Sequence, residues 1–133
     1  MEIRAKLPGG DWMWPSFRLM PRFNKYGGWP ASGEIDIFES RGNQKLFLRN
    51  RNIGSEMVTS GLHFGPDKVH NAVNTVRVST NSAKGHGYHE DFHVYGLEWT
   101  DGNRVQLVAA SILNAFICSM QPFQITFRFR STT

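Results

Sequence analysis

Residues 33–40, which read GEIDIFES, constrain the fold more than any other part of the chain. Acidic and apolar residues alternate here, and this predicts a β-strand because successive side chains of a strand point to opposite faces. Glu34 and Asp36 then share one face, whereas Glu39 is out of phase by one residue. A single-residue β-bulge near Ile37 and Phe38 would return Glu39 to that face. We therefore expect three carboxylates on one side of a strand whose other side is apolar.

The remaining pattern is also typical of strands separated by turns. Residues 1–7 and 74–80 alternate polar and apolar side chains, and residues 92–99 are rich in aromatic and β-branched types. Thirteen Gly and six Pro supply turn residues, and Asp101-Gly102 is a strong hairpin signal. Such strands predict an all-β antiparallel sandwich, in which two sheets cover one apolar core.

Composition narrows the possible partners. The chain has 133 residues, enough for one domain, and its one cysteine, Cys118, excludes an internal disulfide framework. The net charge of +4 is spread thinly, without a basic run of five residues, so we expect no nucleic-acid partner. Residues 105–120 are uncharged but fall short of the about 20 apolar residues that span a membrane, so we predict no membrane segment.

Three carboxylates so close together indicate acid–base chemistry. Like charges repel, so at least one of these carboxyls should keep its proton at neutral pH. One ionised carboxylate beside one protonated carboxyl is the pair of catalytic groups that most glycoside hydrolases use to cleave a glycosidic bond. Two alternatives stay open at this point: a strand with one solvated face, and a site for a hard cation.

Tryptophans on both sides of the acidic segment favour a sugar site. Trp29 precedes the segment in WPASG, and Trp12 and Trp14 lie further upstream in DWMWP. The C–H faces of sugar rings pack on aromatic rings, so aromatic side chains beside carboxylates are what a sugar-binding cleft needs.

The run GGWPASGEIDIFESRGN at residues 27–43 strongly resembles the catalytic signature of glycoside hydrolase family 16. Its form EIDIFE, with one extra residue, is similar to the β-1,3-glucanase (laminarinase) branch rather than to the shorter lichenase form. Residues 1–14, 61–65 (GLHFG) and 91–100 (DFHVYGLEWT) also resemble family segments, so the similarity extends to about Asp101. This resemblance implies a jelly roll of the concanavalin A-like type.

The resemblance implies a role for each carboxylate. Glu34 is similar to the family nucleophile, Glu39 to the general acid that later acts as base, and Asp36 to the residue that hydrogen-bonds and tunes both. Retention of configuration needs the two working carboxyls about 5–5.5 Å apart, a spacing that two residues on one strand face can approach. The implied reaction is retaining endo-hydrolysis of β-1,3-glucan by double displacement, without a cofactor or metal.

The resemblance also implies a set of substrate-binding residues. Trp29 would stack on a sugar beside the cleavage point, and His93 matches a family histidine near the same sugar. Trp99 could lie in the cleft or in the core, and His63 could be structural or a cleft residue. The full set that we expect to bind substrate is Trp29, His93, Trp14, Trp99 and His63.

Two local features depart from this picture. Arg18 stands where the family pattern W-P-A-x-W-M-L has tryptophan, since this chain reads WPSFRLM. We expect this change to affect local packing or one sugar contact and to leave the carboxylates undisturbed. His86, His89 and His93 have a spacing that could suggest zinc, but residues 86 and 89 would face opposite ways on a strand, so we predict no metal site here.

The resemblance covers only part of a complete sandwich, which runs to about 200–250 residues. We therefore predict a partial family 16 domain over residues 1–104, truncated at both ends, and an unrelated tail over 105–133. We expect no secretory signal before Met1, so the location of this chain stays open although the resembling family is extracellular. Full-length members of that family are expected to be monomers. We expect the chain alone to be an inactive fragment, with a solvent-open acidic strand and a loosely attached tail beyond Val105.

Two functions are compatible with these residues, and both have a β-glucan polysaccharide as partner. The first is a retaining endo-β-1,3-glucanase. The second is a non-catalytic β-1,3-glucan recognition protein of invertebrate innate immunity, a branch that has typically lost one or both catalytic glutamates. Because Glu34, Asp36 and Glu39 are all present, the sequence favours the enzyme.

Overall fold

The computed structural model describes residues 1–75, 78–82, 86–100, 104–109, 117–119 and 124–126. This part of the chain is all-β, apart from one short 3-10 helix at Ala72–Thr75. The strands are β1 (Glu2–Ala5), β2 (Ser16–Leu19), β3 (Glu34–Ser40), β4 (Phe47–Leu48), β5 (Arg51–Asn52), β6 (Met57–His63), β7 (Val78–Asn81), β8 (His93–Thr100), β9 (Arg104–Ala109), β10 (Ile117–Ser119) and β11 (Gln124–Thr126).

The strands form two main sheets and one small ribbon. A five-stranded sheet has the order β1-β8-β9-β11-β10, and a four-stranded sheet has the order β2-β3-β6-β7. Strands β4 and β5 form the ribbon, and the described pairings are antiparallel except that of β9 with β11. The prediction of an all-β antiparallel sandwich is therefore confirmed.

The core lies between the two main sheets. Phe38 of the four-stranded sheet packs on Tyr95 of the five-stranded sheet, with ring centroids 4.3 Å apart. The buried core residues are Leu7, Ile37, Phe38, Val58, Tyr88, Tyr95 and Leu97. Ile35 packs against this cluster, so the apolar side chains of β3 face inwards and its alternating acidic residues face the other way.

The predicted β-bulge is confirmed. Asp36 pairs with Gly61 of β6 and Glu39 pairs with Thr59, so two residues of β3 lie opposite the single Ser60. On the other side, Phe38 pairs with Phe17 while Asp36 pairs with Arg18, which places the same extra residue on β3. Both neighbouring strands therefore accommodate one bulge at Ile37 and Phe38.

A side chain of β6 completes the bulge. Ile37 is fully buried, so its backbone carbonyl has no access to solvent. The bulge interrupts the ladder of backbone hydrogen bonds at this residue. The buried hydroxyl of Ser60 donates to this carbonyl at 2.7 Å. A buried carbonyl without a partner costs free energy, so Ser60 stabilises the irregular strand.

Two expectations about exposure and attachment were wrong. Strand β3 lies between β2 and β6, and Glu34 and Asp36 are only 6% and 1% exposed, so the acidic strand is not open to solvent. Strand β9 pairs with β8 over six residues, so the backbone from Val105 to Ala109 is part of a sheet rather than loosely attached. The division at residue 104 stays a prediction, and residues 110–116, 120–123 and 127–133 of the predicted tail lie outside the described part.

Other strand predictions agree in part. The strand expected over residues 74–80 begins only at Val78, since residues up to Thr75 form the 3-10 helix. The hairpin signal Asp101-Gly102 lies outside the described residues. In the part of the chain that the structure describes, no helix has the length and apolar character needed to cross a bilayer.

We expect Ser60→Ala to lower the free energy of unfolding by about 1–3 kcal/mol, because the buried carbonyl of Ile37 would lose the hydrogen bond from the Ser60 hydroxyl. Denaturant unfolding followed by tryptophan fluorescence measures the change. Ser79→Ala is the matched control, since the Ser79 hydroxyl makes a part-buried hydrogen bond of 3.0 Å with another side chain, the hydroxyl of Thr59. Equal stability of Ser60→Ala and the parent protein would contradict this account of the bulge.

Candidate active site

One guanidinium contacts all three carboxylates of β3. Arg18 lies opposite Asp36 on β2. Its Nη1 donates to Oε1 of Glu34 at 2.8 Å, its Nη2 donates to Oε1 of Glu39 at 3.3 Å, and its Nε lies 3.6 Å from Oδ1 of Asp36. Because a single side chain reaches all three, Glu34, Asp36 and Glu39 lie on the same face of the sheet.

Both carboxylate oxygens of Glu34 have partners. Arg18 holds Oε1, and the indole Nε1 of Trp29 donates to Oε2 at 2.5 Å. The preceding loop positions the indole: Gly33 has a φ of +84°, which side-chain-bearing residues rarely adopt, and its amide donates to the carbonyl of Pro30 at 2.9 Å. This turn brings Trp29 back over the start of β3.

His63 is the histidine that contacts the acidic cluster. Its Nε2 lies 3.0 Å from Oδ2 of Asp36, and Glu34 pairs with His63 across the β3–β6 ladder. The amide Nδ2 of Asn71 lies 2.8 Å from the other ring nitrogen, Nδ1. Since the amide nitrogen donates, this hydrogen-bond network assigns the ring proton of neutral His63 to Nε2, facing Asp36.

The environment of Asp36 favours its protonated form. The pKa of Asp36 is raised to about 7, mainly because the carboxyl is buried. The negative charges of Glu39 and Glu34 raise the pKa further, as does a hydrogen bond with Glu34, while the positive charge of Arg18 lowers it. Near neutral pH the Asp36 carboxyl is therefore protonated in a large fraction of the molecules.

Trp29 lies at the rim of the site rather than in the core. Its side chain is 37% exposed, and its ring is tilted against that of His63 with centroids 5.3 Å apart. One edge of the indole is thus fixed by Glu34 while part of its surface faces solvent. This arrangement is available for packing against a sugar ring.

Trp14 lies beyond the Glu39 end of β3. The amide of Ser40 donates to the carbonyl of Pro15 at 2.9 Å, which ties the Trp14 segment to the end of that strand. Trp14 is 59% exposed, and the guanidinium of Arg41 lies 4.1 Å above its ring. A pocket beside it is lined by Glu39, Ser40, Arg41, Ile53, Met57 and Thr59.

Trp99 and His93 are placed differently from each other. Trp99 of β8 is 62% exposed and lines a pocket shared with Glu34, at the opposite end of the acidic row from Trp14. His93 packs on the aromatic residues Tyr88 and Tyr95, with ring centroids 4.9 Å and 6.4 Å away. The structure thus brings His63 to the carboxylates, and a sugar contact of His93 stays a prediction.

The acidic cluster also contains the geometry of a possible cation site. Glu34, Asp36 and His63 offer ligand atoms that lie within 4.8 Å of one another. Arg18 and Trp29 already occupy both oxygens of Glu34, so a cation would have to displace a guanidinium of like charge.

The histidine-rich segment, whose spacing could suggest zinc, lies elsewhere in the chain. Its His86 contacts the carboxylate of Glu90 through Nδ1 at 2.6 Å.

Arg18 corrects one expectation from the sequence. Its change from the family tryptophan was expected to leave the carboxylates undisturbed, yet the residue contacts all of them. The pairing of β2 with β3 places Arg18 directly opposite Asp36, and this pairing register could not be read from the sequence.

Asn71 is a second residue of the site that the sequence analysis did not find. It lies in a loop and contacts the site only through His63, so no sequence pattern marks it as a site residue.

Known proteins resemble both the sequence and this fold. No family model matches the chain. The chain is 42% identical over 103 residues to a β-1,3-glucan-binding protein of Penaeus monodon and 39% identical over 102 residues to a glucan endo-1,3-beta-glucosidase of Cryptopygus antarcticus. These matches cover 77% and 74% of this chain but only 27% and 32% of the relatives, so the chain spans about a quarter to a third of their length.

Solved structures of glycoside hydrolases share this fold. The catalytic domain of the Thermotoga maritima laminarinase superposes with a TM-score of 0.61 at 28% identity, over 81% of this chain and 38% of that one. A glycoside hydrolase family 16 endo-glucanase of Bacteroides ovatus gives 0.58 at 29% identity, over 77% and 40% of the two chains. The chain is thus similar in sequence and in fold to glycoside hydrolase family 16 enzymes. Its described strands correspond to part of their jelly roll.

We expect Asp36→Asn to stabilise the protein at and above pH 7, by up to about 4 kcal/mol, and to have no stabilising effect near pH 4. The folded protein binds the Asp36 proton up to pH of about 7, whereas the unfolded chain releases it near its ordinary pKa of 3.8. Stability from this group is therefore complete below pH 4 and is lost as the pH rises through 7, and asparagine mimics the protonated form.

Denaturant unfolding at several values between pH 4 and pH 8 measures this difference. Asp67→Asn is the matched control, because an exposed contact with His70 lowers the pKa of Asp67, so its removal should be unfavourable at neutral pH. A stability difference between Asp36→Asn and the parent that does not change with pH would contradict the shifted pKa.

Proposed function

We propose that this chain carries the cleavage site of a retaining hydrolase that acts on β-1,3-glucan. The observation that supports the proposal is the placement of Glu34, Asp36 and Glu39 on one face of β3, where the bulge at Ile37 and Phe38 aligns Glu39 with the other two. An unbroken strand would have sent Glu39 to the core face. The bulge in β3 is therefore what brings the three carboxylates together.

Glu34 is the nucleophile in this proposal. A carboxylate oxygen of Glu34 attacks the anomeric carbon, the bond from that carbon to the leaving glucan oxygen breaks, and Glu39 gives its proton to that oxygen. Glu39 then takes a proton from water, whose oxygen attacks the anomeric carbon and releases Glu34. The two displacements retain the configuration of the sugar. The Trp29 indole orients the Glu34 carboxylate for attack.

Asp36 and His63 position the working carboxyls. Asp36 lies between the two glutamates in sequence, is almost fully buried, and has a pKa raised to about 7, so it can hold a proton toward Glu34. The Nε2 of His63 lies 3.0 Å from the other carboxyl oxygen and limits its rotation. A neutral Asp36 reduces the repulsion that two ionised neighbours of Glu34 would produce.

The substrate class follows from the aromatic residues and from the relatives. Exposed Trp14 and Trp99 lie at opposite ends of the acidic row, with Trp29 at its rim, so a chain of sugars could pack along it in both directions. This favours cleavage inside a polysaccharide rather than at its end. The β-1,3 linkage rests on the Cryptopygus antarcticus glucosidase and on the laminarinase structure. An extracellular location is part of the same proposal.

Recognition of β-1,3-glucan without hydrolysis is a second candidate, and Arg18 is the observation that favours it. The guanidinium neutralises part of the charge that the nucleophile and the acid need. The Penaeus monodon relative is a β-1,3-glucan-binding protein, and it is 42% identical over the matched residues. Both candidates require the same sugar-binding face and differ only in turnover.

In a complete domain that contains this segment, we expect Glu34→Gln to abolish hydrolysis of laminarin while leaving laminarin binding within about threefold of the parent, because the amide keeps the shape of the side chain but cannot act as a nucleophile. Reducing-sugar release measures turnover, and titration calorimetry measures binding. Glu2→Gln, an exposed glutamate on β1, is the matched control and should behave like the parent. Turnover by Glu34→Gln within a few-fold of the parent would rule out the assignment of the nucleophile.

A further inference from the structure

Arg18 occupies the space that a substrate would need. Its two terminal nitrogens belong to one rigid planar group, and they hold Oε1 of Glu34 and Oε1 of Glu39 at the same time. In a retaining mechanism the anomeric carbon must lie between these two carboxyls, which are about 5–5.5 Å apart. The guanidinium and the reacting sugar therefore compete for one position.

The contacts of Arg18 are of a strong kind. They are charge-assisted hydrogen bonds, 2.8 Å long to Glu34 and 3.3 Å long to Glu39, and they join a guanidinium that is 36% exposed to two carboxylates that are only 5% and 14% exposed. The approach of Asp36 to Nε adds a third acidic neighbour. The protein without substrate thus holds the guanidinium firmly inside the acidic cluster.

The same side chain has a route out of the cluster. It is 36% exposed, whereas the two glutamates are largely buried. Its Nη2 also donates to the hydroxyl of Ser16 at 3.0 Å, on the exposed side of the site. Rotation of the Arg18 side chain toward Ser16 and solvent would release Glu34 and Glu39 from the guanidinium without moving a strand.

We propose that Arg18 is a latch that restrains glycosidic cleavage at this site, an inference that rests on the proposed function. In the latched arrangement Glu34 and Glu39 are bound to the guanidinium, and neither can reach an anomeric centre. The sugar chain still packs on the tryptophans at the rim and ends of the acidic row. Cleavage takes place only when Arg18 withdraws, so the latch lowers kcat much more than it weakens glucan binding.

Replacement of Arg18 tests the latch directly. In a complete domain that contains this segment, Arg18→Gln keeps much of the side-chain length and removes the charge and the paired N–H donors, so we expect kcat on laminarin to rise about tenfold or more while KM changes little. Arg18→Lys keeps the charge, but one ammonium cannot bridge two carboxylates as a guanidinium does, so its kcat should be intermediate. Arg51→Gln, an exposed arginine on β5, is the matched control and should match the parent.

A salt titration separates the latch from a general effect on folding. Higher ionic strength weakens the contacts of Arg18, so kcat of the parent should rise between about 50 mM and 500 mM NaCl. The kcat of Arg18→Gln should not rise, because it has no guanidinium to release. Thermal melting of each variant identifies those that fold, and Arg18→Lys decides the question if Arg18→Gln does not fold.

The outcomes distinguish this inference from the function on which it rests. Hydrolysis that depends on Glu34 but is no faster in either folded Arg18 variant overturns the latch and leaves the proposed function intact. Laminarin binding without Glu34-dependent hydrolysis, in the parent and in both folded Arg18 variants, overturns both proposals and supports recognition alone. A rise in kcat that Glu34→Gln abolishes in the Arg18→Gln background supports both.

Discussion

The β-bulge at Ile37 and Phe38 is the constraint on which the rest of the site depends. It places one extra residue in β3 between two strands that both pair with it, and so it turns Glu39 to the face of Glu34 and Asp36. The buried hydroxyl of Ser60 supplies the hydrogen bond that the interrupted ladder leaves open. Packing of Phe38 on Tyr95 holds the inner side of the same irregularity in the core.

The bulge creates an electrostatic problem that the neighbouring residues solve in different ways. Burial of the carboxyl, together with repulsion from Glu39 and Glu34, raises the pKa of Asp36 to about 7, so this carboxyl takes up a proton. Arg18 supplies positive charge to Glu34 and Glu39, and Trp29 donates a hydrogen bond to Glu34. The protonated Asp36 and the hydrogen bond from Trp29 leave the gap between the two glutamates open, whereas the guanidinium of Arg18 fills it. Catalytic potential and restraint thus arise from the same cluster.

The sequence was sufficient for local features and insufficient for those that depend on strand pairing. Alternation along residues 33–40 predicted both the strand and the bulge, because the phase of Glu39 required one extra residue. The contact of Arg18 with the carboxylates and the hydrogen bond of Ser60 depend on the registers of β2 and β6, which no local pattern specifies. For the same reason His63 rather than His93 lies beside Asp36.

Trapping of the glycosyl-enzyme tests the central claim most directly. A 2-deoxy-2-fluoro laminaribiosyl donor with a good leaving group slows release of the intermediate, so the sugar accumulates on the nucleophile and peptide mapping by mass spectrometry locates it. This account predicts one disaccharide per chain on Glu34, formed faster in Arg18→Gln than in the parent. A label on another residue, or no label on folded Arg18→Gln that binds laminarin, would contradict it.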